Sequence, residues 1–367
     1  MDIQASQSKL DGNGGKSRIP ILSICIPTYN RIRLLRRTVA ALLPQLTVNC
    51  ELVVVDNCSP QEVAPAVEDL VSKYGNMEIR LLRNPVNVGG GANALRCFEL
   101  ARGDWVWVLG DDDEPSPDAI QNILEEITAF PDAVFINFAS ALLDQKNITR
   151  RATSTTTGLE GFVNELDDFG NLLCISAGVY RRDNAVSNLS AAYLYVHTCA
   201  VHLCVLLFAL MVSGGVTVFS RRTIFYWKQA EAGEMWDESL VLPMLYQTLE
   251  LFHDVSLREI WFEKLKWRFP APLLSPSRFF LRVIRNRGDA ACVRNEMLLA
   301  HFIALRVRGF RSRLAQIQIA LFFGRYFWWV FVWSWQLQRL LRGKSKEISG
   351  RGVQSSFSQK LIADRRR

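Results

Sequence analysis

Short, continuous apolar runs alternate with stretches of helical periodicity over the first third of the chain. Ile21-Leu22-Ser23-Ile24-Cys25-Ile26 is closed by Pro27 and predicts a buried strand running into the loop Pro27-Thr28-Tyr29-Asn30. Asn30 stands where a side-chain cap for the next helix is expected. In that helix Leu35, Val39, Leu42, Leu43 and Leu46 recur at helical spacing and leave Arg33, Arg36 and Arg37 towards solvent. A second strand over Glu51 to Val55 stops at Asp56-Asn57, and a helix is predicted over Val63 to Tyr74. Ile79 to Leu82 is a third strand. The turn Asn84 to Gly91 leads into a helix from Ala92 to about Ala101. Trp105 to Leu109 is a fourth strand, and it ends at Gly110 and three aspartates.

Strands that are apolar on both faces and alternate with helices predict an α/β domain, a mostly parallel sheet with helices on both faces. Ligands of such sheets sit beyond the carboxyl ends of the strands. The polar residues fall at those ends: Thr28, Tyr29 and Asn30; Asp56 and Asn57; Asn84 and Asn87; Asp111, Asp112 and Asp113. One crevice is expected to gather all four sets.

Three consecutive aspartates repel one another and raise each other's pKa unless a positive group shares the site. One reading is a solvated turn, with Glu114-Pro115 opening a helix. The other is a hard divalent cation, Mg²⁺ or Mn²⁺, which takes carboxylate oxygens and bridges them to a diphosphate. Asp56 is either a turn residue or the acceptor for the imide N–H of a uracil or thymine base. Asn87-Val88-Gly89-Gly90-Gly91 lacks the Lys-Ser/Thr ending of a P-loop, and G-x-G-x-x-G is absent. It reads as a glycine turn that lets backbone approach a ligand, or as a plain loop.

Composition separates the two ends of the chain. Residues 256–367 are rich in Trp, Phe, Leu and Arg and carry much of the net charge of +7. Basic charge among aromatics points to an anionic membrane surface. Nucleic acid is disfavoured, because no zinc finger, RNA-binding aromatic motif or repeat accompanies the charge. The eight cysteines are scattered with no C-x-x-C pair, as expected in a reducing, cytosolic compartment. Residues 1–18 read as a polar disordered tail without a signal-peptide core.

Taken in order, these motifs resemble family 2 glycosyltransferases. Ile24 to Arg31 is similar to the family's opening signature, followed by Leu52 to Ser59, Asn87-Val88-Gly89, Asn93, Ala101 to Trp105, and Leu109 to Asp113 with Pro117-Asp118. The resemblance covers roughly residues 20–130. It implies a GT-A nucleotide-diphospho-sugar transferase fold, a nucleotide-sugar donor and a Mg²⁺ or Mn²⁺ cofactor. It places Pro27, Thr28, Tyr29, Arg31, Asp56, Asn87, Gly89 and Asp111 around the donor, with Asp111, Asp112 and Asp113 on the ribose and metal. Many members have an aspartate where this chain has Gly110. A subgroup similar to O-antigen sugar transferases such as abequosyltransferases has glycine there. In that register Asp112 is the chief metal ligand, with Asp113 beside it; a simple D-x-D register pairs Asp111 with Asp113.

Inverting members place a catalytic base, Asp or Glu, in the acceptor half. Asp183, Asp237 and Glu238 are the candidates, and Asp237 is taken from the pair Asp237-Glu238, which follows a polar segment suited to a mobile loop; a surface acidic turn is the other reading of each. His197 and His202 are expected to be buried structural residues. Leu203 to Val212 is too short to span a bilayer and predicts a core helix. Residues 319–337 hold four Trp and one Tyr with Arg325 among them, which predicts an in-plane amphipathic helix, ahead of a core helix or a span. The expected organisation is a tail over 1–18, a GT-A domain over 19–255, a helical membrane-associating region over 256–342 and a basic tail over 343–367. The expected function is metal-assisted sugar transfer from a nucleotide sugar to a saccharide or polyprenyl-linked acceptor in cell-surface polysaccharide synthesis. The enzyme would be peripheral on the cytoplasmic face of the inner membrane. A sugar nucleotidyltransferase and a non-catalytic nucleotide-sugar binding module are the alternatives; intact carboxylates argue against the second.

Overall fold

The computed structural model describes residues 19–142, 152–227, 243–268 and 290–319, apart from 313 and 317. They fall into two compact units, one holding 19–268 with 301–308 and the other 290–300 with 309–319. In the second unit the described residues are mostly helical. Asp237, Glu238, the tails at 1–18 and 343–367, and all but the first residue of the aromatic stretch 319–337 lie outside the described residues.

The alternation read from the sequence is the architecture of the first unit. Strands β1 (Leu22–Thr28), β2 (Cys50–Asp56), β3 (Glu78–Arg83) and β4 (Trp105–Val108) lie parallel in the order β3-β2-β1-β4. Between them run helices α1 (Ile32–Leu42), α2 (Val63–Val71) and α3 (Gly90–Leu100). Successive strand residues point to opposite faces, which explains the unbroken apolar runs. Ile24, Ile26, Leu52 and Val54 bury against Leu35, Val39 and Leu42 of α1 and against Val67 of α2; Ile120 and Ile123 of α4 (Ala119–Ala129) complete that core. On the other face Cys25, Val53, Val106 and Val108 are fully buried with Leu95, Cys97 and Phe98 of α3.

Beyond β4 the sheet is mixed. β8 (Gly178–Arg181) enters antiparallel beside β4, followed by β6 (Ala133–Leu142) and β9 (Val216–Trp227); β5 (Glu114–Pro115) and β7 (Ser154–Thr157) pair with β9. Parallel pairing therefore holds for the N-terminal four strands, where each crossover contains enough chain for a helix; it gives way at β8, which runs antiparallel to both β4 and β6, and returns between β6 and β9.

Two terminal features tie the sheet together at the edge opposite the strand ends that carry the aspartates. Glu51 is fully buried; its Oε1 accepts from Ser23 Oγ at 2.5 Å and from the Arg102 N–H at 2.7 Å, and its Oε2 pairs with Arg80 at 3.0 Å. Gly103 lies so close that a Cβ there would come within 2.8 Å of the Ser23 nitrogen. This packing accounts for the glycine in Ala101-Arg102-Gly103-Asp104-Trp105.

Leu203 to Val212 forms a core helix as expected. Helix Val201–Ser213 is buried nearly all round, and among the described residues no helix is long and apolar enough to cross a membrane. Helix Val255–Arg268, at the start of the region read as membrane-associating, packs into the first unit. Its Trp261 is fully buried, donates from Nε1 to Thr248 Oγ1 at 3.0 Å and meets the rings of Phe169 and Phe252.

His202 is the buried structural residue the sequence suggested. Its Nε2 lies 3.2 Å from the Leu172 carbonyl, and burial pushes its pKa from the ordinary 6.5 down to about 4. The unfolded chain therefore binds a proton that the folded chain refuses between those values. Stability should rise as pH increases from about 4 to 6.5 and level off above, by about 3 kcal/mol from this residue. Denaturant unfolding of His202→Gln across that interval should show a flatter dependence on pH; an unchanged slope would assign the linkage elsewhere.

Candidate active site

The carboxyl ends of β1, β2 and β4 converge as expected. Thr28, the last residue of β1, donates from Oγ1 to Asp111 Oδ2 at 2.7 Å. Asp111 is 5 % exposed and Asp112 lies open to solvent. Arg31 Nη1 lies 3.3 Å from Asp111 Oδ1 and 3.1 Å from Asp112 Oδ2, so one nitrogen serves both carboxylates. Arg37 Nη2 donates to the Asp112 carbonyl at 2.7 Å. Thr38 Oγ1 stands 3.0 Å from the Asp111 carbonyl and 2.9 Å from that of Asp113. The first two turns of α1 thus hold the backbone of the aspartate loop.

Asp113 turns elsewhere. Its Oδ2 accepts from Ser176 Oγ at 2.5 Å, and the same hydroxyl accepts the Gly110 N–H at 2.9 Å. The Ser176 carbonyl in turn accepts from Trp107 Nε1. Burial raises the Asp113 carboxyl to about 7, with Asp112 and Asp111 adding to the rise and the Ser176 hydrogen bond opposing it. Asp111 is raised too, by burial first, against the hydrogen bond from Thr28 and the charge of Arg31. Gly110, the departure from the commoner family pattern, has a steric reason. A Cβ there would stand 2.9 Å from Asp113 Oδ2 and 3.2 Å from Asp112 Oδ1.

At the end of β2 the carboxylate of Asp56 is buried. Oδ1 accepts from the Ser59 N–H at 3.0 Å and from Ser59 Oγ at 2.5 Å; Oδ2 pairs with Arg83 at 2.5 Å. A carboxylate has about four acceptor positions, so one remains, on Oδ2. Next to it Asn57 Oδ1 accepts from Asn84 Nδ2 and from the Val88 N–H, and Asn57 Nδ2 donates to Asn87 Oδ1. Asn93 of α3 closes this chain of amides by accepting from Asn84 and donating to the Val55 carbonyl. The loop reaches α3 through Gly89 at φ +86°, a left-handed conformation that favours glycine. Pro27 is half-buried in β1 and Tyr29 is 43 % exposed beside it.

Three sequence expectations need correction. Asn30 does not cap α1: it adopts φ +54° and donates its backbone N–H to Ser59 Oγ, and the capping position passes to Arg31. Asp183 cannot act at the aspartate loop. β8 runs antiparallel to β4, so Asp183, which follows it, emerges near Asp104 at the far edge of the sheet. His197 is exposed, stacked on Tyr195, rather than buried. Ser176, Thr38, Arg37 and Arg83 were missed. The first arrives from a turn more than sixty residues downstream of the aspartates, and the others read as ordinary helix or strand-end positions.

Among the described residues no three His, Cys, Asp or Glu side chains gather into a ready metal cage. Asp111 and Asp112 do share a cation, while Asp113 is committed to Ser176. Mg²⁺ and Mn²⁺ commonly take one or two carboxylates and complete their shell with substrate phosphates and water. The donor set fits that use, and Asp111 and Asp112 are the side chains that could hold such an ion.

A parallel βαβ half that ends in this loop, continued by a mixed sheet, defines a GT-A fold. Residues 23–185 match the model of glycosyl transferase family 2, so this segment is similar to that family's domain. The abequosyltransferase RfbV of Salmonella typhimurium is 32 % identical over 102 residues, 27 % of this chain and 30 % of that one. The putative colanic acid biosynthesis glycosyl transferase WcaA of Escherichia coli is 30 % identical over 105 residues, 29 % and 37 % of the two chains. The match thus spans about a third of the length of such curated relatives. The crystal structure of S. aureus TarS 1-349 in complex with UDP-GlcNAc superposes with a TM-score of 0.55 at 16 % identity, over 83 % of this chain and 91 % of that one, a likeness of fold.

Proposed function

We propose that this protein transfers a sugar from a nucleotide-sugar donor to a saccharide or polyprenyl-linked acceptor in the synthesis of a cell-surface polysaccharide. One observation carries the reading: a buried carboxylate with a spare acceptor position at the end of β2 and a cation-binding carboxylate pair at the end of β4 flank the same strand. The first suits a nucleoside base and the second a diphosphate. In this reading Asp56 accepts a base N–H, Pro27 and Tyr29 flank the nucleoside, and Asn87 and Gly89 border the donor.

A bound Mg²⁺ or Mn²⁺ would neutralise charge on the departing nucleoside diphosphate. Asp111 and Asp112 would hold it, Thr28 orients Asp111, and Ser176 fixes Asp113 and the turn at Gly110. Asp237 is proposed as the base that takes the proton of the acceptor hydroxyl. The catalytic domain is proposed to occupy 19–255 together with the helix Val255–Arg268 and residues 301–308 that pack with it, the rest of 256–342 providing attachment to an anionic membrane surface on the cytoplasmic face. Nucleic acid is not a proposed partner.

The reading is tested by incubating the protein with a panel of nucleotide sugars and Mn²⁺. Release of sugar that stops on chelation is expected; no release from any donor would remove the transferase reading, and release that persists in chelator would remove only the metal. Asp56→Asn should weaken binding of the preferred nucleoside diphosphate by about 1.5–3 kcal/mol in calorimetry. Unchanged affinity would reduce Asp56 to a loop residue. The membrane assignment predicts binding to anionic vesicles that declines as salt is raised.

A further inference from the structure

The guanidinium of Arg31 stands where a divalent cation is expected to stand. A single nitrogen, Nη1, is shared by Asp111 Oδ1 at 3.3 Å and Asp112 Oδ2 at 3.1 Å. The two carboxylates are not equivalent. Asp111 is buried and fixed by Thr28, whereas the Asp112 side chain is 53 % exposed and its carbonyl is held by Arg37. The Arg31 side chain is itself 52 % exposed. It leaves the chain at the capping position of α1, in a non-helical conformation (φ −132°), directly after the left-handed Asn30. Side-chain rotation can therefore withdraw it without unwinding a helical turn.

Adjacent carboxylates need a cation beside them, and a guanidinium cannot lose its charge to vacate the place. A metal ion arriving alone must displace Arg31 and leave it without those anions. A metal ion arriving with a diphosphate brings a new anion for it. We propose that Arg31 is the resident counter-cation of the Asp111–Asp112 pair, competes with the divalent metal for it, and passes to the donor diphosphate when the metal takes its place. The inference rests on the nucleotide-sugar reading given above. Its consequence is that metal and diphosphate reinforce each other's binding through one side chain, a coupling that linkage makes reciprocal.

The experiment measures Mn²⁺ binding to the full chain by the electron paramagnetic resonance of the free ion, without nucleotide. Arg31→Gln should bind Mn²⁺ alone about tenfold more tightly than the unaltered protein, the scale of losing one charged hydrogen-bonding competitor. Arg31→Lys, which keeps the charge but not the planar fork, should fall between the two. At saturating Mn²⁺, UDP, GDP, CDP and dTDP are then titrated in turn, and the one bound best should bind about tenfold more weakly to Arg31→Gln.

Equal or weaker Mn²⁺ binding by Arg31→Gln, in a variant whose thermal unfolding remains cooperative, overturns the competition. Tighter Mn²⁺ binding with unchanged diphosphate affinity overturns the transfer of Arg31 to the diphosphate. If neither protein binds Mn²⁺ even with nucleotide, the metal fails and this proposal with it. Sugar release that persists in chelator then shows that the transferase reading survives.

Discussion

Asp112→Asn is expected to lower the rate of sugar transfer by a factor on the order of a hundred or more while leaving the fold intact. The side chain is half-exposed, bonded to Arg31 alone among the described contacts of its carboxylate, and the substitution keeps its size. If Asp112 is one of two anionic ligands of the proposed metal, removing its charge withdraws stabilisation from the departing diphosphate, which corresponds to several kcal/mol of barrier. Steady-state kinetics with Mn²⁺, beside a thermal unfolding curve, separates this from a folding defect. Asp111→Asn should also be slow, but it weakens the buried contact with Thr28 and should unfold at lower temperature. Full activity in Asp112→Asn, with Asp111→Asn and Asp113→Asn inactive, would move the metal to the other register.

Glu51→Ala is expected to destabilise the protein by about 3–5 kcal/mol, the usual consequence of removing one partner of a buried ion pair. Its carboxylate satisfies Ser23 Oγ, the Arg102 N–H and Arg80 together, in a place water does not reach. For a domain of this size the melting temperature should fall by roughly 10 °C. Glu51→Gln should cost less, because it keeps the volume and an acceptor oxygen. Replacing Glu51 and Arg80 together by Met should recover part of the loss, since no unpaired charge then stays buried. A Glu51→Gln variant as stable as the unaltered protein would mean that the charge at Glu51 contributes little. Nucleotide binding should survive in every variant that folds, because this cluster lies at the edge of the sheet away from Asp56 and Asp111.

The two predictions concern opposite ends of the same strands, and they differ in how far the sequence foretold them. The aspartates, Thr28, Asp56 and the Asn-Gly loop were legible because a parallel sheet buried on both faces writes itself as uninterrupted apolar runs. Polar residues at the ends of such runs have one edge to occupy. Thr28 follows Ile26-Pro27, Asp56 follows Val53 to Val55, and Asp111 follows Leu109-Gly110. Local periodicity fixes those positions without any knowledge of which strand neighbours which.

What it does not fix is a contact between side chains that meet through the sheet order. Ser176 reaches Asp113 because β8 inserts antiparallel beside β4, and a short apolar strand carries no mark of its neighbour. The same insertion removed Asp183 from the site. Arg83 meets Asp56 through the β2–β3 register, and Arg31 meets two aspartates eighty residues away through the β1–β4 register. Asn30 could cap a helix by composition, yet the turn put it at positive φ and used its N–H on Ser59. The sequence by itself determined the elements of the N-terminal half, the edge at which ligands bind and the residue types offered there, because burial and hydrogen-bonding capacity are properties of each residue. Only the tertiary structure decided which of those groups touch, because strand order and register are set by packing the whole sheet at once.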